Sequence, residues 1–125
     1  MKSFGILFAL LIAVAGCTAQ SKGVKNLKQT DLSAKLQEEN VVLIDVRTSG
    51  EIANGYIPEA DHFIDINRSD FDQKISELDT TKTYVMYCRS GARSGRAANK
   101  MAELGFSDIF NLEGGILAYK GELKQ

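Results

Sequence analysis

Val41-Val42-Leu43-Ile44 is an unbroken β-branched and aliphatic run with no polar residue at alternate positions, the pattern of a strand that must be covered on both faces. A second strand, Thr83-Tyr84-Val85-Met86-Tyr87, ends at Cys88, and shorter strands are expected around residues 62–66 and 108–112. Helical signals lie between them. Thr30 and Asp31 can open a helix to about Glu39 with Leu32 and Leu36 on one face, and Asn40 stops it. Thr48-Ser49-Gly50-Glu51 fits a capping box for a short helix ended by Gly55, and Ser69 or Asp70 can cap another through Leu78. From about Arg93 a helix carries Ala97, Met101 and Leu104 as a buried stripe, with Gly105 past its end. Gly114-Gly115 turns the chain, and residues 116–123 are expected to form a final short helix. Alternating strands and helices imply an α/β domain whose parallel sheet lies between helical layers, joined by right-handed crossovers. Ligands of such sheets bind beyond the carboxyl ends of the strands, where Cys88 falls.

Composition narrows the chemistry. The 125 residues suit one domain, and 15 Lys and Arg against 16 Asp and Glu leave no field that would draw the protein onto nucleic acid. One histidine, two cysteines and no tryptophan exclude a zinc ribbon, a His-rich metal centre and a disulfide-stapled miniprotein. The expectation is a site with no cofactor and no metal, built around a single nucleophile.

The N-terminus reads as an address. Met1-Lys2-Ser3 is a short cationic start, and the apolar run from Phe4 to Ala15 falls short of the about 20 residues that span a bilayer, so residues 1–16 are expected to be a secretory signal. The run ends in Val14-Ala15-Gly16-Cys17, which resembles the lipobox of bacterial lipoproteins, in which the cysteine is lipidated and becomes the mature N-terminus. Residues 17–23 then form a lipidated tether reaching about 20 Å, and residues 24–125 the folded domain. The resemblance implies a membrane-anchored protein of the cell envelope facing the periplasm or exterior, and Thr18 after Cys17 resembles the pattern of outer-membrane sorting. A thioether at Cys17 would leave Cys88 as the one free thiol, in a compartment where such a thiol is a liability unless it has a task.

Cys88-Arg89-Ser90-Gly91-Ala92-Arg93-Ser94 joins a strand to a helix, so its backbone N–H groups can turn inward as an anion nest at a helix N-terminus. Gly91 permits backbone geometry barred to bulkier residues, Ser90 and Ser94 offer hydroxyls, and Arg89 and Arg93 bring positive charge towards the sulfur. Each of these favours the thiolate, so Cys88 is expected to be ionised at neutral pH and reachable within a ring of amides.

These residues, with Asp45-Val46-Arg47, Glu51, Gly55-Tyr56-Ile57-Pro58-Glu59-Ala60 and Leu112-Glu113-Gly114-Gly115-Ile116-Leu117-Ala118-Tyr119, resemble the single-domain rhodanese (sulfurtransferase) family over roughly residues 25–119. Tyr119 stands where the family often has tryptophan, and Glu59 where glycine is common. The resemblance implies a three-layer α/β/α rhodanese-like domain with a central five-stranded parallel sheet. It also implies that Cys88 takes a sulfane sulfur from a donor such as thiosulfate, becomes a persulfide and passes the sulfur to a thiol or cyanide-like acceptor, with a thiol protein as a further possible partner. Residues 89–94 would bind substrate.

Asp45 is expected to accept backbone hydrogen bonds in its turn, and Arg47 and Glu51, four apart, to pair at the active-site rim. His62 is read as structural, and Tyr84 and Tyr87, on opposite strand faces, as packing residues. Two other functions compete. A cysteine-loop phosphatase or arsenate reductase would carry five residues between cysteine and arginine, whereas four, 89–92, lie between Cys88 and Arg93. A persulfide carrier or docking module without turnover would need the same loop, and steady-state sulfur transfer distinguishes it.

Overall fold

The computed structural model describes residues 23–125, so the expected signal segment and Cys17 lie outside the described residues. Five strands form one parallel sheet in the order β1-β5-β4-β2-β3. They are β1 (Val24–Leu27), β2 (Val41–Asp45), β3 (His62–Phe63), β4 (Thr83–Tyr87) and β5 (Ile109–Leu112). Four α-helices connect them: α1 (Leu32–Gln37), α2 (Ser49–Ala53), α3 (Phe71–Ser76) and α4 (Ala92–Glu103). The expected α/β architecture is the observed one.

Strand alternation divides the interior into two cores. Ile44, Tyr84, Met86 and Ile109 pack with Phe71 and Ile75 of α3 and Ala97, Ala98 and Met101 of α4. Leu43, Val85, Tyr87 and Leu112 pack on the opposite face with Leu32, Leu36 and Ile57. Both faces of β2 and β4 are therefore dry, as their unalternating sequences require; each fully buried aliphatic side chain contributes roughly 1.5–3 kcal/mol. Connections from β1 and β2 run along the sheet in one direction and those from β3 and β4 in the other. The strand order thus reverses between β2 and β4, and the crevice beyond that point is where such a sheet binds ligands. Asp45 and Tyr87 are register partners there.

Several elements differ from expectation. The first helix is a 3-10 turn, Gln29–Asp31, followed by an α-helix that stops at Gln37. β3 spans two residues, although Ile64 and Ile66 still donate backbone hydrogen bonds to Asp45 and Val46. Leu104 is 47 % exposed, because the helix ends there and Phe106, beyond the Gly105 turn, fills the core edge-on to Tyr84. The expected final helix is only a 3-10 turn, Gly115–Ala118. Its early amides are engaged elsewhere, Ile116 N–H on Cys88 C=O at 2.9 Å and Leu117 N–H on Arg89 C=O at 3.1 Å, and Lys124 then pairs with Tyr56 as an antiparallel bridge. The edge strand β1 has no alternation that would announce it, since only Leu27 of its four residues is buried.

Candidate active site

β4 delivers Cys88 to the carboxyl edge of the sheet, and residues 89–91 turn the chain into α4. Gly91, at φ 113°, caps the helix in a conformation that side chains rarely adopt. That turn aims the Gly91 N–H at the Cys88 sulfur, 3.1 Å away, while the Ser94 hydroxyl lies 3.3 Å from the same atom. Burial pushes the Cys88 thiol up, but the Ser94 hydroxyl and the backbone N–H groups of Ser94, Gly91 and Ser90 outweigh it, and its pKa lies below the ordinary thiol value. Hydrogen bonds are the chief influences favouring the anion, and the Arg93 guanidinium and the Cys88 thiolate also favour each other's charge, as expected for that arginine. The amides acting on the sulfur belong to residues 90, 91 and 94, all within the Cys88–Ser94 turn expected to supply them. The sulfur is not openly reachable as expected: Cys88 is 1 % exposed and belongs to the core cluster with Ile44, Val46, Met86 and Ala97, with the Gly91 N–H and the buried Ser94 hydroxyl on its polar side.

Asn111 on β5 completes the ring and was not singled out from the sequence. Its amide nitrogen donates to Gly91 C=O at 3.0 Å, and its Oδ1 accepts from the Ser94 hydroxyl at 2.6 Å. One signal pointed to it: a polar residue in the otherwise apolar strand Ile109–Leu112, near the strand's carboxyl end. Gly115 supports the loop from below. Its φ is 56°, and a Cβ there would sit 2.5 Å from Arg89 C=O and 2.6 Å from Cys88 C=O, so the C-terminal turn can approach the nucleophile's backbone only with glycine at this position.

The acidic and basic residues pair differently from the expected Arg47–Glu51 contact. Asp45, fully buried, accepts Arg47 N–H at 2.9 Å, as foreseen for a turn carboxylate, and also holds the Arg47 guanidinium through Nη2 at 2.7 Å. Arg47 further donates to Gly55 C=O at 2.8 Å and lies over the Tyr87 ring. Burial opposes the Arg47 charge, but the Asp45 hydrogen bond and charge prevail and raise its pKa. Helix α2 begins at Ser49, so Arg47 precedes it and four-residue helical spacing does not apply. Glu51 is left to reach Arg93, with two hydrogen bonds of 2.6 and 2.8 Å, and the Arg93 guanidinium holds its carboxyl down to about 2. Thr48 caps the helix by accepting Glu51 N–H at 3.3 Å.

Arg89, Ser90 and Ala92 are exposed on the outer rim of the loop, and Arg89 makes no ion pair among the described residues. His62 lies exposed on β3. No group of three metal-ligating side chains occurs among the described residues. A cavity of about 500 Å3 between α1 and the C-terminal segment is lined by Leu32, Leu36, Glu59 and Tyr119 among others, and by no residue of the Cys88 loop.

A thiol held among amides at a strand-to-helix turn invites comparison with known proteins. The sequence profile described as "Rhodanese-like domain" matches residues 28–122. "Putative sulfurtransferase YtwF" of Bacillus subtilis is 40 % identical over 102 residues, covering 81 % of this chain and 95 % of that protein. A protein of Allochromatium vinosum named "Sulfurtransferase" is 39 % identical over 101 residues, covering 77 % of this chain and 88 % of its own. Among solved structures, a rhodanese-like domain protein from Staphylococcus aureus superposes with a TM-score of 0.70 at 30 % identity, covering 80 % of this chain and 96 % of the other. Profile, relatives and superposition agree over the segment that carries the cysteine turn, and the chain belongs to the rhodanese-like domain family.

Proposed function

We propose that the protein is a sulfurtransferase in which Cys88 carries a sulfane sulfur from a thiosulfate-type donor to a thiophilic acceptor. The observation that carries this is the environment of the Cys88 sulfur, which accepts the Gly91 N–H at 3.1 Å beside the Ser94 hydroxyl at the start of α4. With thiosulfate, the Cys88 thiolate attacks the outer sulfur, a new S–S bond forms, the donor's S–S bond breaks and sulfite leaves with the electron pair. The persulfide's terminal sulfur then carries the charge within reach of the loop amides, which stabilise it as an oxyanion hole does. A thiol or cyanide-like acceptor attacks that terminal sulfur and returns the thiolate. A thiolate nucleophile needs no general base, and the Ser94 hydroxyl and the loop amides bias Cys88 towards that form. Arg89 stands exposed at the rim, and Arg93 at the start of α4 is paired with Glu51.

The N-terminal segment suggests the setting: a lipid on Cys17 would tether this chemistry to an envelope membrane, with a small donor or a thiol protein reaching it from the periplasm or exterior.

Intact mass spectrometry after thiosulfate exposure tests the chemistry. The wild-type protein should gain one sulfur atom that cyanide removes, and Cys88→Ser should gain none. An equal gain in Cys88→Ser refutes the assignment. Steady-state transfer from thiosulfate to cyanide separates a turnover enzyme from a carrier that is loaded once.

A further inference from the structure

We propose that Glu51 sets the charge of the donor that Cys88 accepts, disfavouring dianionic thiosulfate relative to a donor with at most one charge at its reacting end, a low-molecular-weight persulfide. This rests on the sulfur-transfer function proposed above and narrows its substrate class.

The charges around the turn carry the inference. Arg93, the cation on the first turn of α4, is gripped at both its terminal nitrogens by Glu51, at 2.6 and 2.8 Å. A guanidinium engaged in this two-pronged way has its planar donor fork occupied, so an arriving sulfonate meets a neutralised pair instead of a free cation. Glu51 keeps its charge throughout the neutral range, because Arg93 holds it so far below an ordinary carboxyl. Asp65 adds a second negative influence on Arg93, and the Cys88 thiolate a third. Arg89 is the one loop cation without an ion pair among the described residues, and it is exposed, where solvent screens it. Arg93, the partly buried cation of the loop, is thus already paired with a carboxylate before any donor arrives. A dianion entering this recess would meet the loop amides but no unpaired guanidinium on the first turn of α4 to offset its second charge, at the moment it is stripped of water.

A persulfide avoids that cost. The Cys88 thiolate attacks the outer sulfur of R–S–SH, the Cys88–S bond forms as the R–S bond to that sulfur breaks, R–S⁻ leaves with the electron pair, and the proton stays on the transferred sulfur. One negative charge enters the reaction and one leaves.

The test is a single-turnover measurement on the full chain, following the mass gain at Cys88 with thiosulfate or with glutathione persulfide, and subtracting the gain of Cys88→Ser. Glu51→Gln removes the charge and releases Arg93, and should raise the thiosulfate-to-persulfide ratio of second-order rate constants about tenfold, mainly by tightening thiosulfate binding. Glu51→Asp, which keeps the charge, should stay within about twofold of wild type. A mere loss of structural support would lower both rates together and leave the ratio alone. An unchanged or reversed ratio in Glu51→Gln, with Cys88-dependent transfer intact, overturns the role of Glu51 and leaves the sulfur-transfer function standing. Absence of Cys88-dependent gain from both donors in the wild-type protein overturns the function itself, and this inference with it.

Discussion

The Ser94 hydroxyl lies 2.6 Å from Asn111 Oδ1 and 3.3 Å from the Cys88 sulfur, so its single proton serves one acceptor at a time. When Cys88 is a thiolate, the proton belongs on sulfur; when the charge moves to the outer sulfur of a persulfide, Asn111 can take it.

Removing the hydroxyl should therefore cost the thiolate a donor. Ser94→Ala is expected to raise the Cys88 pKa, because the Ser94 side chain is the largest of the hydrogen bonds that lower it. A hydrogen bond to a charged group contributes about 1.5–3 kcal/mol, so alkylation by iodoacetamide at neutral pH should slow by about tenfold or more. An alkylation profile against pH that superposes on the wild type would refute this.

The Asp45–Arg47 pair is a stability prediction. Asp45 is fully buried and Arg47 is 4 % exposed, so truncating either leaves an uncompensated charge in the interior. Arg47→Ala should lose about 3–5 kcal/mol, measured by urea unfolding. A loss near the few tenths typical of surface pairs would mean that water reaches Asp45.

Glu51 gives a pH dependence whose sign follows from its depressed pKa. Its folded value, about 2, lies below the ordinary 4.5, so its ionisation stabilises the fold fully above about pH 5 and is lost as the pH falls towards 2. The stability difference between wild type and Glu51→Gln should accordingly shrink over that window in denaturant titrations. A difference that holds constant from pH 6 to pH 3 would contradict it.

Gly115→Ala should disturb the catalytic turn without touching a reacting group. The new methyl would meet Arg89 and Cys88 carbonyls at 2.5 and 2.6 Å, backbone atoms that cannot swing aside, and would be held at positive φ. The strain of that conformation alone is about 1–2 kcal/mol, so a lowered melting temperature and slower sulfur uptake are expected together. Gly50→Ala, with open space around its Cβ in α2, should leave both nearly unchanged.

What the sequence revealed followed the distance over which residues interact. The turn from Cys88 to Ser94 is contiguous, so its anion-binding form was legible from residue types alone, as were the doubly covered strands β2 and β4. Partners across the fold were not. Glu51 and Arg93 are 42 residues apart, and Ser94 and Asn111 are 17 apart on a helix and a neighbouring strand. Spacing suggested Arg47 for Glu51, yet α2 starts too late for that geometry. Likewise the C-terminal segment has a helical pattern, but after its first amides claim the Cys88 and Arg89 carbonyls the chain leaves the helical path and pairs Lys124 with Tyr56, a partner visible only in three dimensions.

That claim limits how the site can change. Because the tail is stitched to the backbone of the nucleophile and of its neighbour, inserting a residue to widen the recess for bulkier esters would break both stitches at once. Remodelling the loop's size would demand a compensating redesign of the last ten or so residues, far downstream in the gene.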